Sequence, residues 1–115
     1  MSEHSITLNE AQTMVHLYRE NRDSILKEEY QGLDILSISE TFAKEEFLEM
    51  LSDNSVKYLR LYFGMDENLK VHAIFTGADE NGKDILPDTE TPDALILERG
   101  KVCPTNCPPE SALYP

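Results

Sequence analysis

Residues 56–77, VKYLRLYFGMDENLKVHAIFTG, decide the fold of this chain. The first half alternates two sets of side chains, with Leu59, Leu61 and Phe63 on one face and Tyr58, Arg60 and Tyr62 on the other. The second half repeats the alternation, with Leu69, Val71, Ala73 and Phe75 opposite Lys70, His72, Ile74 and Thr76. A period of two is that of a strand. The turn-rich GMDEN between the halves therefore predicts an antiparallel hairpin.

The sheet is predicted to continue after this hairpin. Asn81 and Gly82 form the dipeptide most typical of a tight hairpin turn, because both residues adopt a positive φ at little cost. Residues 85–86 are then expected to begin a short returning strand, and ALILERGKV (94–102) to form the last one. The pattern predicts an antiparallel meander of three to four strands.

Two helices are predicted before the sheet. Thr7 and Glu10 have the spacing of a capping box, which marks a helix start, and an apolar stripe follows at three- and four-residue steps: Leu8, Ala11, Val15, Tyr18 and Ile25. A second, shorter amphipathic helix is expected within ETFAKEEFLEML (40–51). Helices followed by consecutive strands indicate an α+β domain, in which we expect both helices to pack on one face of the meander.

Composition limits the classes of partner. The 115 residues suffice for one domain, which we assign to residues 1–100, with residues 101–115 as an extended Cys/Pro-rich tail. A net charge of −12 disfavours nucleic acid and anionic membrane and favours a basic protein partner, although the acids are spread as on a solubilising surface. No apolar run is long enough for a membrane span. The first residues lack the features of a secretory signal, so we expect a cytoplasmic protein.

The tail contains both cysteines, Cys103 and Cys107, within CPTNCPP (103–109). We interpret this segment as a proline-stiffened tail with free thiols, the default in a reducing compartment. A reversible disulfide is one alternative. A zinc site that adds a histidine is another, although two cysteines supply only half of the usual four ligands. We therefore predict no metal and no cofactor.

No catalytic constellation is recognisable, so we predict a protein-binding module rather than an enzyme. The predicted binding face consists of Tyr58, Arg60, Tyr62 and His72, since aromatic residues and arginine are enriched in binding hot spots. If one face of the sheet is open, self-association through Tyr58, Tyr62 and Ile74 is expected to form a homodimer. The alternative function is that of a thiol-redox or metal-binding protein that acts through Cys103 and Cys107.

One segment carries a resemblance, LRLYFGMDENLKVHAIFTGADENGKDIL (59–86), together with the later CPTNCPP. From residue 39 onward the chain resembles a group of small bacterial α+β proteins that have a similar hairpin and a cysteine-proline tail after two helices. These proteins have no assigned activity. The resemblance implies the α+β fold and a tail that belongs to the folded unit, and it implies no catalytic residue.

Overall fold

The computed structural model describes residues 3–114 and confirms the α+β class. In chain order the elements are α1 (Leu8–Asn21), a short 3-10 helix (Glu28–Tyr30), β1 (Ser39–Thr41), α2 (Lys44–Leu51), β2 (Tyr58–Met65), β3 (Val71–Ala78), β4 (Asp84–Ile85), β5 (Ile96–Leu97) and β6 (Lys101–Cys103). Only β2 and β3 are long. The strands that the sequence analysis expected near residues 85 and 96 are present, but each has two residues.

The predicted hairpin is the centre of a four-stranded antiparallel sheet. β2 and β3 pair over their whole length, from Tyr58↔Ala78 to Met65↔Val71. The other edge of β3 is shared, because β5 pairs with its middle and β4 with its end. A second, two-stranded sheet joins β1 to β6, a pairing that the sequence analysis missed.

The start of α1 is as predicted, but its packing is not. The Thr7 hydroxyl accepts a hydrogen bond from the Glu10 amide at 3.1 Å, which confirms the capping box. The expected burial of the apolar stripe needs correction, since no residue of α1 is buried, and Ile25, which was expected to extend the stripe, lies beyond the end of the helix and is 71% exposed. Polar contacts hold the helix instead: the Tyr18 hydroxyl donates to the Ser37 carbonyl at 2.5 Å.

α2 contacts the sheet through aromatic side chains. Phe42, just before the helix, and Phe47 within it meet Phe75 of β3 edge to face, with ring centroids 5.3 and 5.1 Å apart, and they contact each other at 5.6 Å. The buried apolar side chains are few: Ile35, Met50, Ala78, Leu97 and Cys103. Within residues 3–114, neither α-helix has the length and apolarity needed to cross a bilayer.

The tail, residues 101–115, contacts the body of the domain, and the expectation that it carries free thiols needs correction. Its first residues are β6, and the Cys103 carbonyl accepts a hydrogen bond from the Ile38 amide at 2.8 Å. Cys103 is completely buried and forms a disulfide with Cys107, so the two are not free thiols. Near the end of the chain, the Arg19 guanidinium lies 4.4 Å above the Tyr114 ring. The tail is tied to the body through the pairing of β6 with β1 and the contact of Tyr114 with Arg19, whereas the disulfide closes a loop within the tail.

Candidate binding sites on the β2–β3 hairpin

Near residue 73, the edge of β3 forms a hydrogen bond with a side chain instead of with a neighbouring strand. The Val71 amide donates to the Ile35 carbonyl at 2.9 Å, and the Ala73 amide donates to Glu40 Oε2 at 2.7 Å. A carboxylate from β1 thus takes the position that a strand carbonyl would occupy. This contact fixes the Glu40 side chain, which is only 10% exposed.

His72 is oriented by the turn that joins β2 to β3. Its Nε2 lies 2.7 Å from Asp66 Oδ2, while Asp66 Oδ1 accepts hydrogen bonds from the Asn68 and Lys70 amides at 2.8 and 3.0 Å. The contact with His72 lowers the pKa of the Asp66 carboxyl, and the amides add to this effect. An ionised carboxylate only accepts hydrogen bonds, so Nε2 carries the proton. In the neutral imidazole, Nδ1 then carries the free lone pair.

Nδ1 of His72 points at two further carboxylates. Glu40 Oε1 lies 3.7 Å from it, and Oε1 of Glu98, the residue after β5, lies 3.8 Å from it. Both separations are too long for a hydrogen bond. His72 Nδ1 and Glu40 Oε1 are buried and have no hydrogen-bond partner. The hydrogen bond that His72 donates to Asp66 raises the pKa of His72, the charges of the three carboxylates support this effect, and partial burial opposes it.

An aromatic groove of about 310 Å³ adjoins this cluster. Its lining combines Glu40 and His72 with apolar side chains, chiefly Tyr18, Phe42, Phe47, Phe63, Val71 and Phe75. The groove lies among α1, the segment that leads into β1, the start of α2 and the hairpin. A ligand in it would therefore contact both the polar cluster and the rings.

The predicted binding face divides into two parts. Arg60 donates to Asp84 Oδ1 at 2.5 Å, and the Tyr62 hydroxyl donates to Asp84 Oδ2. These bonds, led by the one from Tyr62, lower the pKa of Asp84, and the bond to Asp84 raises the pKa of Tyr62. Tyr58 is 59% exposed. His72 pairs with Gly64, six positions along β2 from Tyr58 and so about 20 Å away along the strands.

The outer edge of β2 is the most open part of the sheet. Among residues 3–114, β2 pairs with β3 alone, and along it Phe63 is 78% and Met65 62% exposed. The whole chain exposes 8811 Å², whereas a folded monomer of 13.1 kDa is expected to expose about 6,400 Å². Its radius of gyration of 16.4 Å exceeds the roughly 13 Å of an average domain of this length. The chain therefore leaves more surface uncovered than an average monomer does, and large apolar side chains such as Phe63 and Met65 contribute to it.

The sequence analysis selected His72 but missed the carboxylates around it. Asp66 had a local signal, because it stands six residues before His72 in the intervening turn. Glu40 and Glu98 had none, since they are two of 22 acidic residues and reach His72 only through the strand pairings. Comparisons with known protein families, with curated proteins and with solved structures gave no match.

Proposed function

We propose that this protein is a binding module that associates through the outer edge of β2, and that its partner is a second copy of the chain. The observation that carries the proposal is the excess exposed surface, about 2,400 Å² above that of an average monomer of this mass. A standard interface buries about 800 Å² on each partner. The uncovered surface is thus larger than a stable dimer needs.

The edge of β2 suits pairing with itself. The free outer edge of this eight-residue strand presents a row of backbone donors and acceptors that an added strand satisfies. The strand has no proline, no lysine and no acidic residue, so repulsion between two chains of net charge −12 is weakest there. Antiparallel pairing that places Leu61 opposite Tyr62 of the second copy sets Arg60 opposite Phe63, and no like charges meet.

The experiment is light scattering coupled to size exclusion over a wide range of protein concentration. We expect the wild type to be a dimer and Phe63→Lys to be a monomer, because an edge lysine disfavours strand pairing. Phe63 is exposed, so its replacement leaves the monomer folded. The matched control is Met14→Lys on α1, which changes a side chain of similar exposure, 65%, and is expected to remain a dimer.

Two results would overturn this proposal. A wild type that stays monomeric at every concentration excludes the second copy as partner. A dimer that Met14→Lys dissociates and Phe63→Lys does not would assign the interface to α1. Strong salt dependence of a complex with a basic protein would instead identify the partner that the charge of the chain suggests.

The alternative function, thiol redox chemistry through Cys103 and Cys107, is favoured by one observation, the disulfide between them. The burial of Cys103 opposes it, since a redox cysteine has to be reached by its partner thiol. Metal binding by these sulfurs requires both as thiolates, which the disulfide excludes. A disulfide is also more typical of an oxidising compartment than of the cytoplasm, and a cytoplasmic location stays a prediction.

A further inference from the structure

We propose that Glu40, His72 and Glu98 form a binding site for one divalent transition-metal ion, with zinc as the reference ion. The ligand atoms are Glu40 Oε1, His72 Nδ1 and Glu98 Oε1, which lie within 4.8 Å of one another. The site is independent of the β2 edge and of the two cysteines. It adds a function that the sequence analysis did not predict.

The spacing of the three atoms fits a shared ion better than direct contact. Two atoms bound to one tetrahedral zinc ion at about 2.1 Å lie about 3.4 Å apart. The distances from His72 Nδ1 are 3.7 Å to Glu40 and 3.8 Å to Glu98, so shifts of about 0.3–0.4 Å in the two carboxylate oxygens bring each to the separation of shared zinc ligands. A hydrogen bond would require these distances to shrink to about 3 Å.

A second, independent observation that supports the metal site is the burial of unsatisfied polar atoms. The Glu40 side chain is nine-tenths buried and its Oε2 is fixed by the Ala73 amide, yet its Oε1 has no hydrogen-bond partner. Leaving a buried carboxylate oxygen unsatisfied is costly. This oxygen points towards Nδ1 of His72, which is also buried and unsatisfied. A cation between them would satisfy both atoms.

The arrangement behind His72 is the one found at many metal sites. A ligating histidine commonly donates its second N–H to a carboxylate, which fixes the tautomer and the direction of the ring. Asp66 provides this contact at 2.7 Å and is itself held by two backbone amides. Asp66 is thus a positioning residue rather than a ligand.

The local charge also favours a divalent cation. Within residues 3–114, no lysine or arginine forms a salt bridge with Glu40 or Glu98. Asp66 adds a third carboxylate, so even a protonated His72 leaves two negative charges uncompensated. One imidazole with two carboxylates suits zinc and neighbouring divalent transition metals better than calcium or magnesium, which prefer oxygen ligands alone. Three protein ligands leave a fourth position open, as in catalytic rather than structural zinc sites.

The experiment is titration of the intact, oxidised protein with zinc chloride alone, followed by calorimetry and by competition with a chromogenic chelator. We expect one equivalent to bind to the wild type and none to bind specifically to His72→Gln. Glu98→Gln is the gentler ligand variant, because Glu98 is partly exposed and its loss leaves the fold intact, and we expect it to weaken binding strongly. Circular dichroism checks that each variant is folded.

Two matched controls test the specificity of the site. Asp66→Asn is expected to weaken zinc binding about 10- to 100-fold, because the ring loses its orientation. Asp79→Asn changes the equivalent carboxylate of the next turn, which touches no histidine, and is expected to bind zinc as the wild type does. His16→Gln removes an exposed His–Glu pair and is also expected to change nothing.

The proposal is overturned if the folded wild type takes up no stoichiometric zinc. It is equally overturned if His72→Gln and Glu98→Gln bind zinc as well as the wild type, or if His16→Gln loses it. Uptake of cobalt by the wild type with the visible absorption of a tetrahedral nitrogen and oxygen site, lost in His72→Gln, would support it. If the wild type takes up no zinc, the cluster is an ion pair of a protonated His72 with its carboxylates.

Discussion

Two turns of the sheet have nearly the same sequence and the same hydrogen bonds, DENLK (66–70) and DENGK (79–83). In each turn the aspartate amide donates to the lysine carbonyl, and Oδ1 of the same aspartate accepts from the amides two and four residues later. The fourth residue has a positive φ in both, 65° at Leu69 and 80° at Gly82. Identical local chemistry therefore forms both turns, with and without glycine.

The two turns differ in the side-chain contacts that their aspartates, or the residue that follows, make with the sheet. In the first turn the free oxygen of Asp66 holds His72, whose other nitrogen is left without a hydrogen bond. In the second turn the next residue, Asp84, satisfies Arg60 and Tyr62. The hydrogen bonds of the Asp84 cluster are satisfied within the cluster, whereas the His72 cluster has free acceptors for a ligand. The comparison shows that repeated turns can support a structural contact at one end of a sheet and a candidate site at the other.

The largest expected effect comes from removing the glycine that distinguishes the turns. Gly82→Leu is expected to lower the free energy of unfolding by about 1–2 kcal/mol, because a side chain in the left-handed region clashes with the following carbonyl. Space is not the limit, since a Cβ at Gly82 would meet no atom closer than the Arg60 guanidinium at 3.7 Å. Urea denaturation at neutral pH measures the effect. An unchanged midpoint would mean that the turn relaxes to another conformation.

The reverse exchange tests the same strain in the first turn. Leu69→Gly is expected to change stability by less than about 0.5 kcal/mol, because relief of the left-handed backbone offsets the entropy of glycine and the loss of a partly buried side chain. The same denaturation series provides the measurement. A cost as large as that of Gly82→Leu would show that packing of Leu69, rather than its backbone, dominates this turn.

The smallest effect is expected in the Asp84 cluster and depends on pH. The pKa of Asp84 is held below its ordinary value of 3.8, first by Tyr62 and then by Arg60. The stabilisation from ionised Asp84 is therefore fully present above that value and is lost as the pH falls through the lowered folded pKa. Asp84→Asn should be less stable than the wild type at neutral pH, and the difference should vanish in strong acid.

Urea denaturation of both proteins across the acid range measures this difference. Tyr62→Phe removes one partner of Asp84 and should shift the acid limb of the wild-type curve towards higher pH. A gap between Asp84→Asn and the wild type that is constant with pH would contradict the prediction. Such a constant gap would show that Asp84 stabilises the fold through its shape rather than through its charge.

Local structure could be predicted from the sequence. The β2–β3 hairpin, the capped start of α1 and the amphipathic α2 follow from periodicity, capping and turn residues within a few positions of one another. For Asn81 and Gly82 the turn is confirmed, although only Gly82 has the positive φ expected of both. His72 was selected because it falls on a predicted strand, and it lies in β3.

Which distant residues meet depends on tertiary contacts that local patterns do not encode. The pairing of β1 with β6 buries Cys103, and the contacts of β3 with β5 and with Glu40 gather three carboxylates around His72. Periodicity carries no information on such contacts, because residues 40, 72 and 98 are far apart in the chain. It also failed for α1, whose apolar stripe remains exposed. An amphipathic pattern indicates that one face of a helix can be buried. Whether it is buried depends on the rest of the fold or on a partner.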